Sequence, residues 1–359
     1  MAFFKRYFKF IGFFLSALFL YLTFRNANLA LILKNLRFLN PLLICAAFCL
    51  YFLFYVVRAL YQRNNLAAIK PGIGFGNSLA SIALSLFFNV IFPARLGEVV
   101  RTFYLYKREN LSKASVLSYI LIEKLIDFLF MVFLLLVLLV AGFSKTESGV
   151  ELRKIAFIAS AAGLAILSLA FIYVKFNRVV FSILMAVTPK KTHSSLARMN
   201  ESALEGIRFY RSAGQVARGA ALMILSWVIV MGVFSLVVRS YVTILNLPVY
   251  SGLFFMVFSS LSLAIPSAPA GIGVVHYGLY LAVRLLSDAS PSYDMNLVGA
   301  FTIVVQFLTG ILMDLVIGGG ISLYFRARFG RVLFVKTLSE TKSAAAEYDE
   351  ITRLYLKKE

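Results

Sequence analysis

The strongest constraint on this chain is a set of apolar runs that call for a bilayer as solvent. Six of them, at about 8–24, 41–57, 116–142, 155–174, 219–245 and 298–325, are long enough to cross the roughly 30 Å hydrocarbon core. Backbone inside hydrocarbon finds no water, so it must close its own hydrogen bonds, and a helix does this within one segment. Hydrophobic residues make up 61% of the 359 residues and charged residues 14%, a balance outside that of soluble domains. The expected fold is an all-α polytopic membrane protein. Two further apolar segments, about 79–106 and 250–286, are interrupted by proline, glycine and charge and bring the segments to eight.

The net charge of +20 reports topology before it reports a nucleic-acid partner, because Lys and Arg collect in the cytoplasmic loops of membrane proteins. No nucleic-acid partner is expected. Lys5, Arg6 and Lys9 precede the first run, which has no convincing small-residue cleavage site and reads as a retained anchor. Cys45 and Cys49, one turn apart in the second run, suit apolar packing better than a disulfide or metal.

If all eight segments crossed once, 175–218 would lie outside although it carries eight Lys or Arg against Glu201 and Glu205. If 79–106 and 250–286 each dip in and return on one side, then 58–78, 107–113, 175–218 and the tail from Arg326 become cytoplasmic. The segments 246–250 and 287–296, which hold no Lys or Arg, become external. The segment 25–40, with Arg25, Lys34 and Arg37, runs against this scheme. Both termini are expected on the cytoplasmic side.

The expectation is an inverted-repeat helical bundle of about six full spans and two broken re-entrant hairpins. Its first half covers 1–174, with spans one to three, the hairpin 79–106 and the start of the second half at the span 155–174. A basic cytoplasmic loop follows over 175–218, then the rest of the second half over 219–325 with the hairpin 250–286, and a charged cytoplasmic tail over 326–359. The two broken segments also align without a gap. Pro93-Ala94-Arg95-Leu96-Gly97-Glu98-Val99-Val100 falls on Pro269-Ala270-Gly271-Ile272-Gly273-Val274-Val275-His276, and Tyr104-Leu105 on Tyr280-Leu281. Pro93, Gly97, Pro269, Gly271 and Gly273 are the expected breaks, since proline and glycine interrupt membrane helices.

Charge concentrates at the first of these segments. Arg95, Glu98 and Arg101 are spaced three apart and share a helical face if the segment after Gly97 is helical. Glu123 and Asp127 stand at i and i+4 on the next span, with Lys124 between them, and need cations nearby, for which Arg95 and Arg101 are the obvious candidates. An exposed charge at the bilayer centre costs about 2.5–3.5 kcal/mol, so these six should line an interior, hydrated site rather than face lipid. Alternatively, three positive and three negative charges neutralise one another and lock the hairpin to its span. The second half offers His276, Gln306 and Asp314 as secondary candidates, each of which could equally be a hydrogen-bonded packing residue. Gly318, Gly319 and Gly320 read as close helix packing. Gly72, Gly74 and Gly76 lack the GK[ST] of a phosphate loop, no zinc spacing is present, and no metal or cofactor is expected.

Pro93-x-Arg95-x-Gly97-Glu98-x-x-Arg101, then Glu123-Lys-x-x-Asp127 and Pro269-x-Gly271-x-Gly273, resembles the lysylphosphatidylglycerol synthase transmembrane family. The resemblance runs over roughly 10–330 and implies a flippase-like membrane domain that moves aminoacylated phosphatidylglycerol or a related lipid between leaflets of a bacterial inner membrane. Three departures fall at the proposed contacts, and the last two alter charge. Lys124 stands where the family usually has Arg. Ala270 replaces a Gly, with His276 where an acidic residue follows. Gln306 replaces an Arg of the last span. The chain shows no aminoacyl transferase domain before Glu359, so the implied partners are membrane lipids and a separate lipid-modifying enzyme. Arg95 and Arg101 are expected to hold the headgroup, with Glu98, Glu123, Lys124 and Asp127 around them. A membrane-embedded transferase acting on a lipid-phosphate acceptor, with Glu98 or Asp127 as general base, is the alternative.

Overall fold

The computed structural model describes residues 14–23, 30, 39–92, 95–138, 140, 147–188, 193–207, 212–240, 247, 250–265, 267–287 and 295–329. Among them all regular structure is helical. Helix α1 spans Phe14–Thr23. Helix α2 spans Pro41–Leu66, opened by the Asn40 side chain, which accepts from Leu42 N at 3.0 Å and Leu43 N at 3.4 Å, with Pro41 at the first position. At about 1.5 Å per residue it exceeds the bilayer core. Among the described residues, four helices are long and apolar enough to cross a membrane: Pro41–Leu66, Ala213–Ser240, Pro269–Leu286 and Val298–Ala327.

Both interrupted segments fold as two helices separated by a break. Helix α3 (Phe75–Ile91) ends where Phe92 turns extended, and α4 (Gly97–Glu109) follows. Pro93 lies outside the described residues. The two run antiparallel: Asn89 and Ser85 bond to Gly97 and Glu98, while Asn77, a few turns back, bonds to Tyr104 and Glu109. A Cβ on Gly97 would collide with the Ser85 carbonyl, so only glycine lets the return helix start this close.

Helix α5 (Lys113–Leu138) follows α4, and α6 (Glu147–Lys175) holds the expected fourth span. The segment 175–218 was expected as a loop, yet it carries two helices, α7 (Asn177–Val187) and α8 (His193–Ile207). The polar side chains explain why. Tyr173 and Asn177 both donate to Asn200, at 2.7 and 2.9 Å, and tie α8 back to the end of α6, while α8 packs on α5.

Helix α9 (Ala213–Ser240) packs along α2. Helix α10 (Ser251–Ser262) is followed by a turn through Pro269–Gly271 and by α11 (Val274–Ser287). Here too the arms fold back: a Cβ on Gly278 would meet the Ser262 hydroxyl and the Phe258 carbonyl. The last helix starts as α12 (Met295–Gln306), widens through two π-helical turns, Phe307–Leu312 and Asp314–Gly318, and continues as α13 (Gly319–Phe329). The main core joins α2, α9, α10, α11 and the last helix. Pro269–Gly271 and the turn Asp314–Gly318 both touch α3, which brings the second break and the last helix against the first hairpin.

One boundary differs from expectation with consequences for the site. Arg58 was expected at the start of a cytoplasmic loop 58–78. Helix α2 instead runs on to Leu66 and buries Arg58, Gln62 and Asn65.

Candidate functional site

Tyr51, Tyr55, Arg58 and Gln62 are spaced 4, 3 and 4 residues apart, so they form one polar stripe on the otherwise apolar α2. All four are buried. Arg58 grips Asp127 of α5 with two nitrogens, Nη1 to Oδ1 at 3.2 Å and Nη2 to Oδ2. Its guanidinium also lies 5.5–5.8 Å from the ring centres of Phe54, Tyr61 and Trp227. Trp227 of α9 donates its indole N–H to Asp127 at 3.0 Å.

Arg101 of α4 is the second anchor. Its terminal nitrogens donate to Glu123 Oε1 at 3.1 Å and Oε2 at 2.8 Å, a fork that uses both carboxylate oxygens. Its Nε donates to Gln62 at 2.7 Å, and Tyr119 donates to Glu123 from one turn earlier on α5. Gln62 donates onward to Ser81 of α3 at 2.7 Å. Four helices, α2, α3, α4 and α5, are thus joined around an ion pair with almost no access to solvent: the Arg101 side chain is 1% exposed and that of Glu123 2%. The two carboxylates of α5 avoid repelling each other because each has its own arginine. Asp127 takes Arg58, not Arg95, which corrects the pairing expected from sequence.

Arg95 stands apart. The expected three-residue face of Arg95, Glu98 and Arg101 is incomplete, because α4 begins only at Gly97 and Arg95 sits before it with a left-handed φ of 54°. Glu98 and Arg101 keep their relation, with 3.6 Å between Oε2 and Nη1. Glu98 also accepts from Ser85 at 3.0 Å and faces Lys124 Nζ at 3.3 Å. Arg95 is exposed and, among the described residues, has no hydrogen bond or ion pair, although its charge reaches Glu98 and Asp314.

The three secondary candidates separate by role. Gln306 donates to the Ala270 carbonyl at 2.6 Å, and His276 Nδ1 accepts from Gly273 N at 3.3 Å. Both therefore close backbone groups that the second break leaves open, helped by Ser16 of α1, which accepts from Ala268 N at 2.9 Å. Pro269, Gly271 and Gly273 all lie in that break, with φ of 70° and 91° at the glycines. Asp314 sits in the second π-helical turn, buried, and one of its oxygens accepts from Tyr51 at 2.8 Å and Tyr55 at 2.7 Å. A Cβ on Gly318 would press on the Tyr55 hydroxyl and the Ala83 carbonyl, so glycine lets this turn approach α2 and α3.

The family described as the lysylphosphatidylglycerol synthase TM region matches residues 9–318. The chain belongs to this family. A UPF0104 membrane protein of Methanocaldococcus jannaschii is 25% identical over 243 residues, covering 68% of this chain and 95% of the relative. No solved structure matches the chain. Family membership and the long apolar helices together make it a multi-pass helical membrane protein of a family linked to lipid handling. The family match includes every residue of the charged network. Sequence reasoning found Glu98, Arg101, Glu123, Lys124, Asp127 and Asp314 and missed Tyr51, Tyr55, Arg58, Gln62, Tyr119 and Trp227. The helical spacing of the α2 stripe was the available signal for four of these. Tyr119, one turn before Glu123, could have been found the same way, whereas no local pattern marks Trp227.

Proposed function

We propose that the protein moves a phosphate-bearing lipid between membrane leaflets, with the headgroup received at the break of the first hairpin. The observation that carries this reading is Arg95: an exposed cation without a partner among the described residues, beside a network in which Arg58, Arg101, Glu98, Glu123 and Asp127 are all paired. An arginine left unpaired at the depth of a broken membrane helix needs an anion, and a guanidinium suits a phosphate. Arg101 is too enclosed to meet a headgroup, so it holds the frame together with Glu123 and Asp127. Lys124, whose side chain is one-third exposed, is the second cation, and Glu98 the carboxylate that exchanges partners or meets an amino-bearing headgroup.

The reading includes an inverted repeat of about six spans and two hairpins, with both termini cytoplasmic in a bacterial plasma membrane. Supporting it, the aligned positions Arg95 and Gly271 share a left-handed φ, 54° and 70°. Two residues later, Gly97 and Gly273 each pack where a Cβ would strike a neighbouring backbone, that of Ser85 and of Ser16. Opposed hairpins of this kind offer alternating access to one site. The partners are membrane lipids and a separate lipid-modifying enzyme. A transferase is less well supported, because of the candidate bases Asp127 has both oxygens bonded by Arg58 and Trp227, while Glu98 accepts from Ser85 and pairs with Lys124.

The test is reconstitution into liposomes carrying fluorescent phosphatidylglycerol, phosphatidylethanolamine or aminoacyl-phosphatidylglycerol, scoring leaflet exchange. Wild type should exceed empty liposomes for at least one headgroup, Arg95→Ala should abolish the gain and Arg95→Lys should keep part of it. Wild-type exchange no faster than that of empty liposomes for all three lipids, or an Arg95→Ala rate equal to wild type, would refute the reading.

A further inference from the structure

A second feature with the chemistry of an anion site lies away from this network. A cavity of about 480 Å³ opens where α2 ends and α9 begins, with Arg63 of α2 and Arg218 of α9 in its wall. Among the described residues, none that lines it is acidic. Arg63 is exposed, and its side chain has no hydrogen bond or ion pair among the described residues. Arg218, also exposed, donates its Nε to the Gly214 carbonyl at 3.3 Å, which steadies the guanidinium, and makes no ion pair among the described residues. The N-terminal end of α9, the positive end of its dipole, opens at the same place.

The pocket is built rather than incidental. Asn64 donates to the Gln215 carbonyl at 3.1 Å, and Gln215 donates to the Asn64 carbonyl at 2.7 Å. This reciprocal pair clamps the two helix ends and fixes the spacing between the arginines. Gly72, with φ 83°, borders the space and has no atom within 4 Å of where a Cβ would stand, so the turn after α2 leaves the mouth open. The remaining wall is apolar, with Leu60, Ile73 and Leu222. Two forked cations over an apolar wall match an amphiphile: a phosphate ester at the arginines and the first carbons of its chains against the leucines.

We infer that this cavity is a second phospholipid site, which holds the phosphate of an anionic lipid between Arg63 and Arg218. Its assignment to the cytoplasmic leaflet rests on the topology proposed above. Its affinity for a lipid phosphate does not, and it uses no residue of the Arg95 site. Anionic lipids of that leaflet are drawn to basic segments at the membrane surface, which would keep the cavity filled.

The experiment uses the full chain in detergent, with bound lipid read by native mass spectrometry and thermal stability read in parallel. The titrants are phosphatidylglycerol, phosphatidylcholine and soluble glycerol phosphate. Phosphatidylglycerol should bind and stabilise wild type. Arg63→Gln with Arg218→Gln should weaken that binding about tenfold or more, the loss of charge-assisted bonds. The Arg63→Lys, Arg218→Lys pair should recover part of it, and Arg178→Gln, an exposed charge on α7, should leave it unchanged. Equal binding by the double Gln variant and wild type would overturn the site. An equal loss with Arg178→Gln would do the same, by reducing the effect to overall charge. Stabilisation by glycerol phosphate alone would assign the cavity to a free phosphate ester and overturn the lipid assignment. Arg95→Ala should retain this binding whether or not it abolishes leaflet exchange, so failure of one proposal is distinguishable from failure of the other.

Discussion

Replacing Arg101 separates a structural arginine from Arg95, the one proposed to meet a headgroup. Arg101→Met removes a fork of two bonds to Glu123, at 3.1 and 2.8 Å, plus the Nε bond to Gln62 at 2.7 Å, and leaves a carboxylate whose side chain is 2% exposed. Breaking a buried pair from one side costs about 3–5 kcal/mol, because the surviving charge stays buried. Tyr119 still donates to Glu123, and Lys124 Nζ stands 3.9 Å from it, so the lower end of that range is expected. Adding Glu123→Gln removes the orphaned charge while keeping a group that Tyr119 can bond. The double variant should therefore recover about 2 kcal/mol, roughly a thirtyfold change in the folding equilibrium. The assay is reversible unfolding in mixed micelles for wild type, both single variants and the double, closed as a thermodynamic cycle. If the two single effects add to within about 0.5 kcal/mol, Arg101 does not hold Glu123 and the buried network is refuted. Arg95→Ala belongs in the same experiment. Exposed and without a partner among the described residues, Arg95 should change stability by no more than about 0.5 kcal/mol.

Three further outcomes follow from the geometry. Gly97→Ala should destabilise by several kcal/mol or prevent folding, because its methyl meets the Ser85 backbone rather than a side chain that can turn away, while Gly320→Ala, with open space around it, should be tolerated; expression and melting temperature compare the two. Gln306→Leu leaves the Ala270 carbonyl without its donor and should cost about 1–3 kcal/mol, whereas Gln306→Glu, which cannot donate when ionised, should cost no less; micelle unfolding measures both. A cysteine at Ser194 in a Cys45→Ala, Cys49→Ala background should resist an impermeant maleimide applied to intact cells, and labelling from outside would overturn the hairpin topology.

How much of the site could be read from the chain depends on how far apart its partners lie. Glu98 with Arg101, and Glu123 with Asp127, are within one or two helical turns, so spacing alone placed them together and set the demand for nearby cations. Spacing could not say which cation answers which carboxylate. Arg58 reaches Asp127 across 69 positions, and Tyr51 reaches Asp314 across 263, which only the placement of α2, α5 and the last helix in space decides. Arg95 was expected to share a face with Arg101. Residue spacing assumes a continuous helix, and α4 starts two residues too late for that.

The sequence by itself determined the solvent and the places where helices break. Long apolar runs require a bilayer, and glycine and proline interrupt helices through their own backbone chemistry, which is a property of each residue. The tertiary structure decided what each polar group does. Inside hydrocarbon every charge and every open backbone group must find a partner, and partner choice is a matter of distance between helices. That is why Gln306 and His276, candidates for ligand contact from sequence, are occupied with the second break, while Arg58, read as a loop residue, anchors the first hairpin's neighbour. It is also why Arg95, without a partner among the described residues, is the cation proposed to receive a headgroup.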